Sequence, residues 1–324
     1  MKLLCYVLST FLIFAPFSAV LAKAPETAKI VFTSRRDGNF EIYIMNPDGS
    51  DQINLTEHRA NDFAPVWSPT GEQILFTSDR GGIEDLYFMD PDGTNVRQVF
   101  KKLIGREFPT WSPDGKALTY HRFHTLSVYT ASSDGKNEKE LAEDGLWPAW
   151  SPNGSEIAFM ASKFVWADNG NLRAPNVRVQ IINLQTHVEE KLLPVDTSMF
   201  DPAWAPDSTQ IAFSWTGKAV GGSMGIHVVN RNGRGLRKII EAEDGMAAFN
   251  PTWSPDGNEL IYNKGVGGIR DLFKVALDGG VPEQLTHRRG DNFNADWFDP
   301  AFALPVSPQP SLLTATWGKL KTQK

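Results

Sequence analysis

Residues 251–257 read Pro-Thr-Trp-Ser-Pro-Asp-Gly, and residues 109–115 repeat them letter for letter. Variants stand at 64–71 (APVWSPTG), 148–154 (PAWSPNG) and 201–208 (DPAWAPDS). With Trp297 added, tryptophans 67, 111, 150, 204, 253 and 297 align at spacings of 44, 39, 54, 49 and 44 residues. A period of that length, filled with alternating apolar residues, belongs to four-stranded propeller blades; helical repeats carry a 3.6-residue period instead. Each tryptophan leads into a turn and an alternating strand, as in Gln73–Ser78, Glu156–Phe159, Gln210–Phe213 and Glu259–Tyr262. A further strand follows (Glu41–Met45, Asp85–Met89, Asp271–Val275), then a hairpin signal such as NPDGS, DPDGT, SSDGK or RNGR. A short fourth strand, Ile53–Thr56 or Gln284–Thr286, closes the unit. Asp-Gly and Asn-Gly supply the positive φ that tight antiparallel hairpins need.

The count of strands settles how the ring closes. The first repeat begins at Lys29 on a second strand, with no tryptophan phrase before it. The last phrase, Asn294–Pro300, has no second strand after it. Joined, the two make one blade, which predicts an all-β, six-bladed propeller over 23–300 with its N- and C-terminal strands paired. Such closure removes the free sheet edges that would invite aggregation. The repeated phrase is therefore scaffold: its tryptophan offers an apolar face between neighbouring blades, and Ser-Pro-Asp-Gly turns the chain.

These units resemble the blades of TolB-like, WD40-like propellers. The resemblance rests on Trp67-Ser68-Pro69, the S-x-R-x-G-x-x-x-I-Y stretch Ser34–Tyr43, Asp48-Gly49 and Leu55-Thr56, and covers about 29–300. It implies an exported ring that binds proteins in a bacterial envelope. TolB itself places an α/β domain ahead of its propeller. Here Lys23–Ala28 alone separate the expected cleavage site from the first strand, which argues against carrying over the whole Tol–Pal role.

Composition agrees with export and excludes some partners. Residues 1–22 read as a signal peptide: Lys2, a long apolar run, then Val20-Leu21-Ala22 as the cleavage end. The only cysteine, Cys5, lies inside that leader, so the mature chain is expected to hold no disulfide and no thiolate metal site. Export without disulfides points to a bacterial periplasm or secretion. A net charge of −6 with no basic block gives no footprint for nucleic acid, and no membrane span is expected after cleavage. The tail 301–324 contains Val306–Pro310, an extended spacer, and reads as flexible.

Catalytic motifs find no context. Gly221–Gly225 match the G-x-S-x-G elbow, but that elbow needs a strand-turn-helix and a downstream acid and histidine. The only tight histidine pair, His121 and His124, reads as solvent-exposed. The crossover before each tryptophan phrase brings an aromatic per blade: Phe63, Phe108, Trp147, Phe200, Phe249 and Phe293. Asp62, Glu107 and Asp201 run beside them as channel candidates for Ca²⁺, an oxygen-seeking ion; no other cofactor is expected. The long spacings of blades four and five concentrate in two loops, 162–176 and 216–225. In the first, Trp166 and Arg173 are the residue types that dominate interfaces, with Asp168, Asn169 and Asn171 around them. The function expected is a non-catalytic platform for an envelope protein or peptide. The second reading is a lyase or hydrolase acting on a carbohydrate or lactone at the same face.

Overall fold

The computed structural model describes residues 23–166, 172–194, 198–216, 224–241, 246–266, 269–287 and 290–305. These residues form six four-stranded antiparallel sheets and one small hairpin, with no helix among them. The first blade is the composite one. Asn292–Phe298 pairs antiparallel with Lys29–Ser34, with Ile30 opposite Trp297 and Ser34 opposite Asn292. Ser34 donates to Asn292 Oδ1 at 2.8 Å across this seam. Blades two to six follow with inner strands Asp62–Trp67, Glu107–Trp111, Gly145–Trp150, Met199–Trp204 and Ala247–Trp253.

The core lies between blades. Trp204 is buried against Val179 and Ile181 of blade four together with Ile211 and Phe213 of its own blade. Its indole donates to the Ala149 carbonyl at 3.2 Å, as Trp253 does to Ala203 at 3.0 Å. These two indoles thus tie blades five and six to the preceding blade. The D-G and L-T signals meet for the same reason. Gly93 of blade two sits with φ near 84°, and a Cβ there would come within 2.3 Å of the Leu55 carbonyl of blade one. The S-x-R signal packs flat: Arg36 lies 4.3 Å over the Tyr43 ring while its Nε donates to Ser34 Oγ at 2.8 Å. Arg80 repeats this over Phe76 and Tyr87 in blade two.

A second device recurs in every inner strand. Ala64, Phe108, Trp147, Asp201, Asn250 and Asn294 all have φ between 47° and 53°, and the strand register slips at each. Five of the six precede proline, but Asn294 bulges alike before Ala295, so the device belongs to the inner strand's place in the ring and not to proline. A left-handed, non-glycine residue costs on the order of 1–2 kcal/mol, so each needs local compensation. Part of it is a hydrogen bond to the preceding blade. Ala64 N–H donates to Thr33 Oγ1 at 3.0 Å, Phe108 N–H to Thr77 Oγ1 at 3.2 Å, and Trp147 N–H to His121 Nδ1 at 3.3 Å.

Two outcomes follow from these contacts. Thr77→Val leaves the Phe108 N–H without its acceptor and should cost about 1–3 kcal/mol, read from the denaturant midpoint at unchanged m-value. Deleting Asn292–Phe298 strips blade one of its inner strand and should abolish the cooperative melt followed by circular dichroism. A deletion variant that still melts cooperatively at the parent temperature would show that the ring closes elsewhere.

Candidate functional site

The bulges build the site because they re-aim the inner-strand side chains at the channel. Each inner strand starts on the upper face, where the loops between second and third strands also rise, since Asp62 pairs with Ser78 and Ser78 with Asp85. At this upper mouth lies a cavity of about 380 Å³. Phe200, Phe249, Phe293, Phe108 and Trp147 line it, with Met160 and Phe164 at the side of blade four. The aromatic wall continues around the rim through edge-on contacts. Phe40 meets Phe293 at 5.3 Å and Phe63 at 6.3 Å, Phe63 meets Phe108 at 5.7 Å, and Phe108 meets Trp147 at 5.3 Å. Arg270 lies 4.4 Å over the Phe293 ring, its guanidinium held by Asp291.

Beneath the aromatics the channel is polar. Asp201 accepts from Ser214 Oγ at 3.0 Å and from the Asn250 N–H at 3.2 Å, yet burial holds its carboxyl above the usual range. Asp296 of blade one accepts the backbone N–H of Trp67 in blade two at 2.7 Å, and burial pushes its pKa up to about 6. Glu107, at the strand start ahead of Phe108 and outside the cavity lining, is raised to about 7 by burial and then by the nearby Glu84 charge. Asn263, fully buried, donates to Asn250 Oδ1 at 2.8 Å.

The candidates from the sequence are distributed as follows. Phe200, Phe249 and Phe293 line the cavity, and Phe63 stands one ring away. The six crossover aromatics do not share one register. Phe63, Phe200, Phe249 and Phe293 immediately precede the left-handed residue, whereas Phe108 and Trp147 are themselves that residue, and Glu107 and Leu146 hold the other position. Alignment by residue type skipped one place in blades three and four, because Phe and Trp stand in for the Ala, Asp or Asn of other blades. Asp62 does not face the channel. It is fully buried against Arg80 at 2.8 Å, with burial raising its pKa. Among the described residues no three His, Cys, Asp or Glu side chains gather as a metal-holding group.

His121 corrects the exposed-pair expectation. It is 1% exposed, stacked at 5.4 Å on Phe108 and tilted against Trp147, while His124 stays exposed. Burial holds its pKa down to about 3, the neutral state that the accepted Trp147 N–H requires. The sequence shows a histidine there but not its burial, since the enclosing rings come from blades three and four.

In the long loop of blade four, Val165–Trp166 and Leu172–Arg173 form a two-stranded hairpin. Phe164 at its base is buried with Leu126 and Leu146, while Val165 and Arg173 are exposed. Asp168, Asn169 and Asn171 lie outside the described residues, as does the side chain of Trp166. The G-x-S-x-G stretch falls between the second and third strands of blade five, with 221–223 outside the described residues. Sequence reasoning missed Arg270, Met160 and Phe164 as cavity residues; only the length of the blade-four loop signalled the last.

A closed six-bladed ring with an apolar upper mouth over a polar channel defines an all-β propeller. The family described as the TolB beta propeller domain matches residues 14–165 and 121–301, and the chain belongs to it. The Tol-Pal system protein TolB of Geobacter sulfurreducens is 41% identical over 51 residues, 16% of this chain and 12% of that protein. The chain therefore covers a small part of that relative. TolB from Acinetobacter baumannii superposes with a TM-score of 0.68 at 18% identity, over 83% of this chain and 66% of that one. An oligogalacturonate lyase in complex with manganese reaches 0.51 at 16% identity, over 82% and 74%. Identities this low show a common fold and no more.

The buried groups set a pH dependence of opposing signs. Unfolding frees His121 to bind a proton below the ordinary imidazole value, so its burial removes stability as pH falls from about 6.5 towards 3. Glu107 acts the other way. Its contribution is fully present below the ordinary carboxylate range and is lost as pH rises through about 7. His121→Asn should therefore flatten the acid-side fall of the melting temperature, and Glu107→Gln should raise it relative to the parent above neutral pH. Calorimetric melts across the range check both, and parallel curves for parent and variants would refute the assignment.

Proposed function

We propose that this chain is a non-catalytic binding platform of the bacterial cell envelope, which holds an apolar segment of a protein partner in the upper mouth of its channel. The observation that carries this is the cavity of about 380 Å³ walled by Phe200, Phe249, Phe293, Phe108 and Trp147. Aromatics in a partly enclosed pocket are the residues on which binding energy concentrates, since they bury much area at small entropic cost. The six sheets position them beforehand, so a partner orders little of the ring on docking. The blade-four hairpin, anchored by Phe164, rises beside the cavity and extends the surface a partner would meet. Among the described residues no helix is long and apolar enough to cross a membrane. A relative whose name places it in the Tol-Pal system, together with the apolar leader 1–22, supports export and an envelope protein as partner.

The test is capture from envelope extract by the purified protein, compared with two double variants. Phe200→Ala with Phe249→Ala should lower retention of the captured protein at least ~10-fold, as loss of two hot-spot aromatics implies, with the ring still folded. Trp166→Ala with Arg173→Ala probes the hairpin and should weaken the same partner. Equal capture by the parent and the phenylalanine variant would overturn the site. Cleavage of a polyuronate or lactone panel by the parent would overturn the non-catalytic reading in favour of a lyase or hydrolase.

A further inference from the structure

The cavity at the upper mouth is unbalanced in charge. Of the residues that line it, Asp201 and Arg270 are the charged ones. Arg270 is already committed. Its Nε donates to Asp291 Oδ1 at 2.6 Å, a second guanidinium nitrogen donates to Asp291 Oδ2, and the guanidinium lies on the Phe293 ring. That pair is neutral as a unit. Asp201 has no such partner: among the described residues it enters no ion pair, and both of its hydrogen bonds fall on Oδ2, from Ser214 Oγ and the Asn250 N–H. The residue is half-buried and borders the cavity. Burial holds its carboxyl above the usual range against those two hydrogen bonds and the Arg270 charge, and a cation beside it would restore the charged form. Asn294, on the same lining, leaves Oδ1 buried without a donor. Asp201, Asn250 and Asn294 also line the cavity of about 600 Å³ beneath, so they stand where the two spaces meet.

The walls favour the same sign. Aromatic rings attract a cation over their faces, and Arg270 on Phe293 at 4.4 Å shows one such contact at this rim. Phe200, Phe249, Phe108 and Trp147 line the cavity with no cation over them among the described residues. A hard metal ion needs a shell of oxygens that aromatic walls do not give. An apolar stem that ends in an ammonium or guanidinium meets both features, since the stem packs on rings while the tip reaches an oxygen. The place of Asp201 in the repeat points the same way. Of the six left-handed inner-strand residues it is the charged one, whereas Asn250 and Asn294 fill that place in two other blades. The backbone device therefore does not require an acid.

We propose that the segment held in the upper mouth presents a lysine or arginine side chain, whose stem lies among Phe200, Phe249 and Trp147 and whose cationic tip pairs with Asp201. This rests on the platform reading and adds the chemistry of what the platform holds. The apolar rings supply affinity, and Asp201 selects a basic residue over a neutral one of similar size.

The test titrates the full chain, by isothermal calorimetry, with a capped leucine-lysine-leucine peptide and with the same peptide acetylated on the lysine amine. The cationic peptide is expected to bind at least ~10-fold tighter, as a desolvated charge pair implies. Asp201→Asn keeps an oxygen for the Ser214 and Asn250 donors and should erase that difference, with the melting temperature and the weaker affinity of the acetylated peptide unchanged. Phe200→Ala with Phe249→Ala should weaken both peptides. Equal binding of the two peptides to the parent, binding of neither, or a preference that survives in Asp201→Asn would overturn the cationic tip. Capture from envelope extract separates this from the platform reading. Asp201→Asn should lose the protein that the parent retains. Full retention by Asp201→Asn with loss by the phenylalanine variant overturns the basic residue and leaves the platform standing, while full retention by both variants overturns the two together.

Discussion

Everything in this protein depends on a seam of backbone hydrogen bonds between Lys29–Ser34 and Asn292–Phe298. Six twisted sheets arranged about an axis leave two unpaired edges unless the chain returns to its starting blade, and unpaired edges cost solvation and invite association. The pairing joins residues more than 250 positions apart, so it brings no local reward while the chain folds, and a large loop must be closed before it forms. Its side chains reinforce it. Ser34 and Arg36 both meet Asn292, and Asp296 receives the Trp67 N–H from the next blade.

The same repeat that builds the ring also builds the mouth. Each inner strand holds one residue in left-handed backbone, ahead of proline in five blades and of Ala295 in the other, and the strand's register slips by one place there. Strain of that kind persists only where its surroundings hold it, and here the neighbouring blade does so through Thr33, Thr77 and His121. Because the slip re-aims the side chains beyond it, one backbone device serves both inter-blade cohesion and the shape of the cavity. The scaffold and the site are thus not separable in the inner strands, though they are in the outer ones.

Polarity is layered along the axis. Aromatics ring the upper mouth, carboxyls and amides lie below them, and tryptophans with prolines wall the lower cavity. The carboxyls of Asp201 and Asp296 are drawn towards their neutral forms by burial and are restrained from that by backbone N–H donors.

Much of this was legible in the residues. Six tryptophan phrases at blade spacing, Asp-Gly hairpins and a broken first and last repeat led to a six-bladed ring with a shared blade, because period-2 alternation and turn chemistry are local properties of the chain. Phe200, Phe249 and Phe293 were found for the same reason, as they occupy one place in a repeated pattern. The structure alone decided which side chains converge. Phe108 and Trp147 shift one place relative to the others, Asp62 turns away to Arg80, and His121 disappears between two rings. Asp62 meets Arg80 within its own blade, whereas the settings of Phe108, Trp147 and His121 depend on the left-handed bulge and on contacts between blades about 30 residues apart in sequence. Periodicity specifies which residues alternate within a strand, but direction towards channel, neighbour or solvent is set only when the ring closes and the blades press on one another.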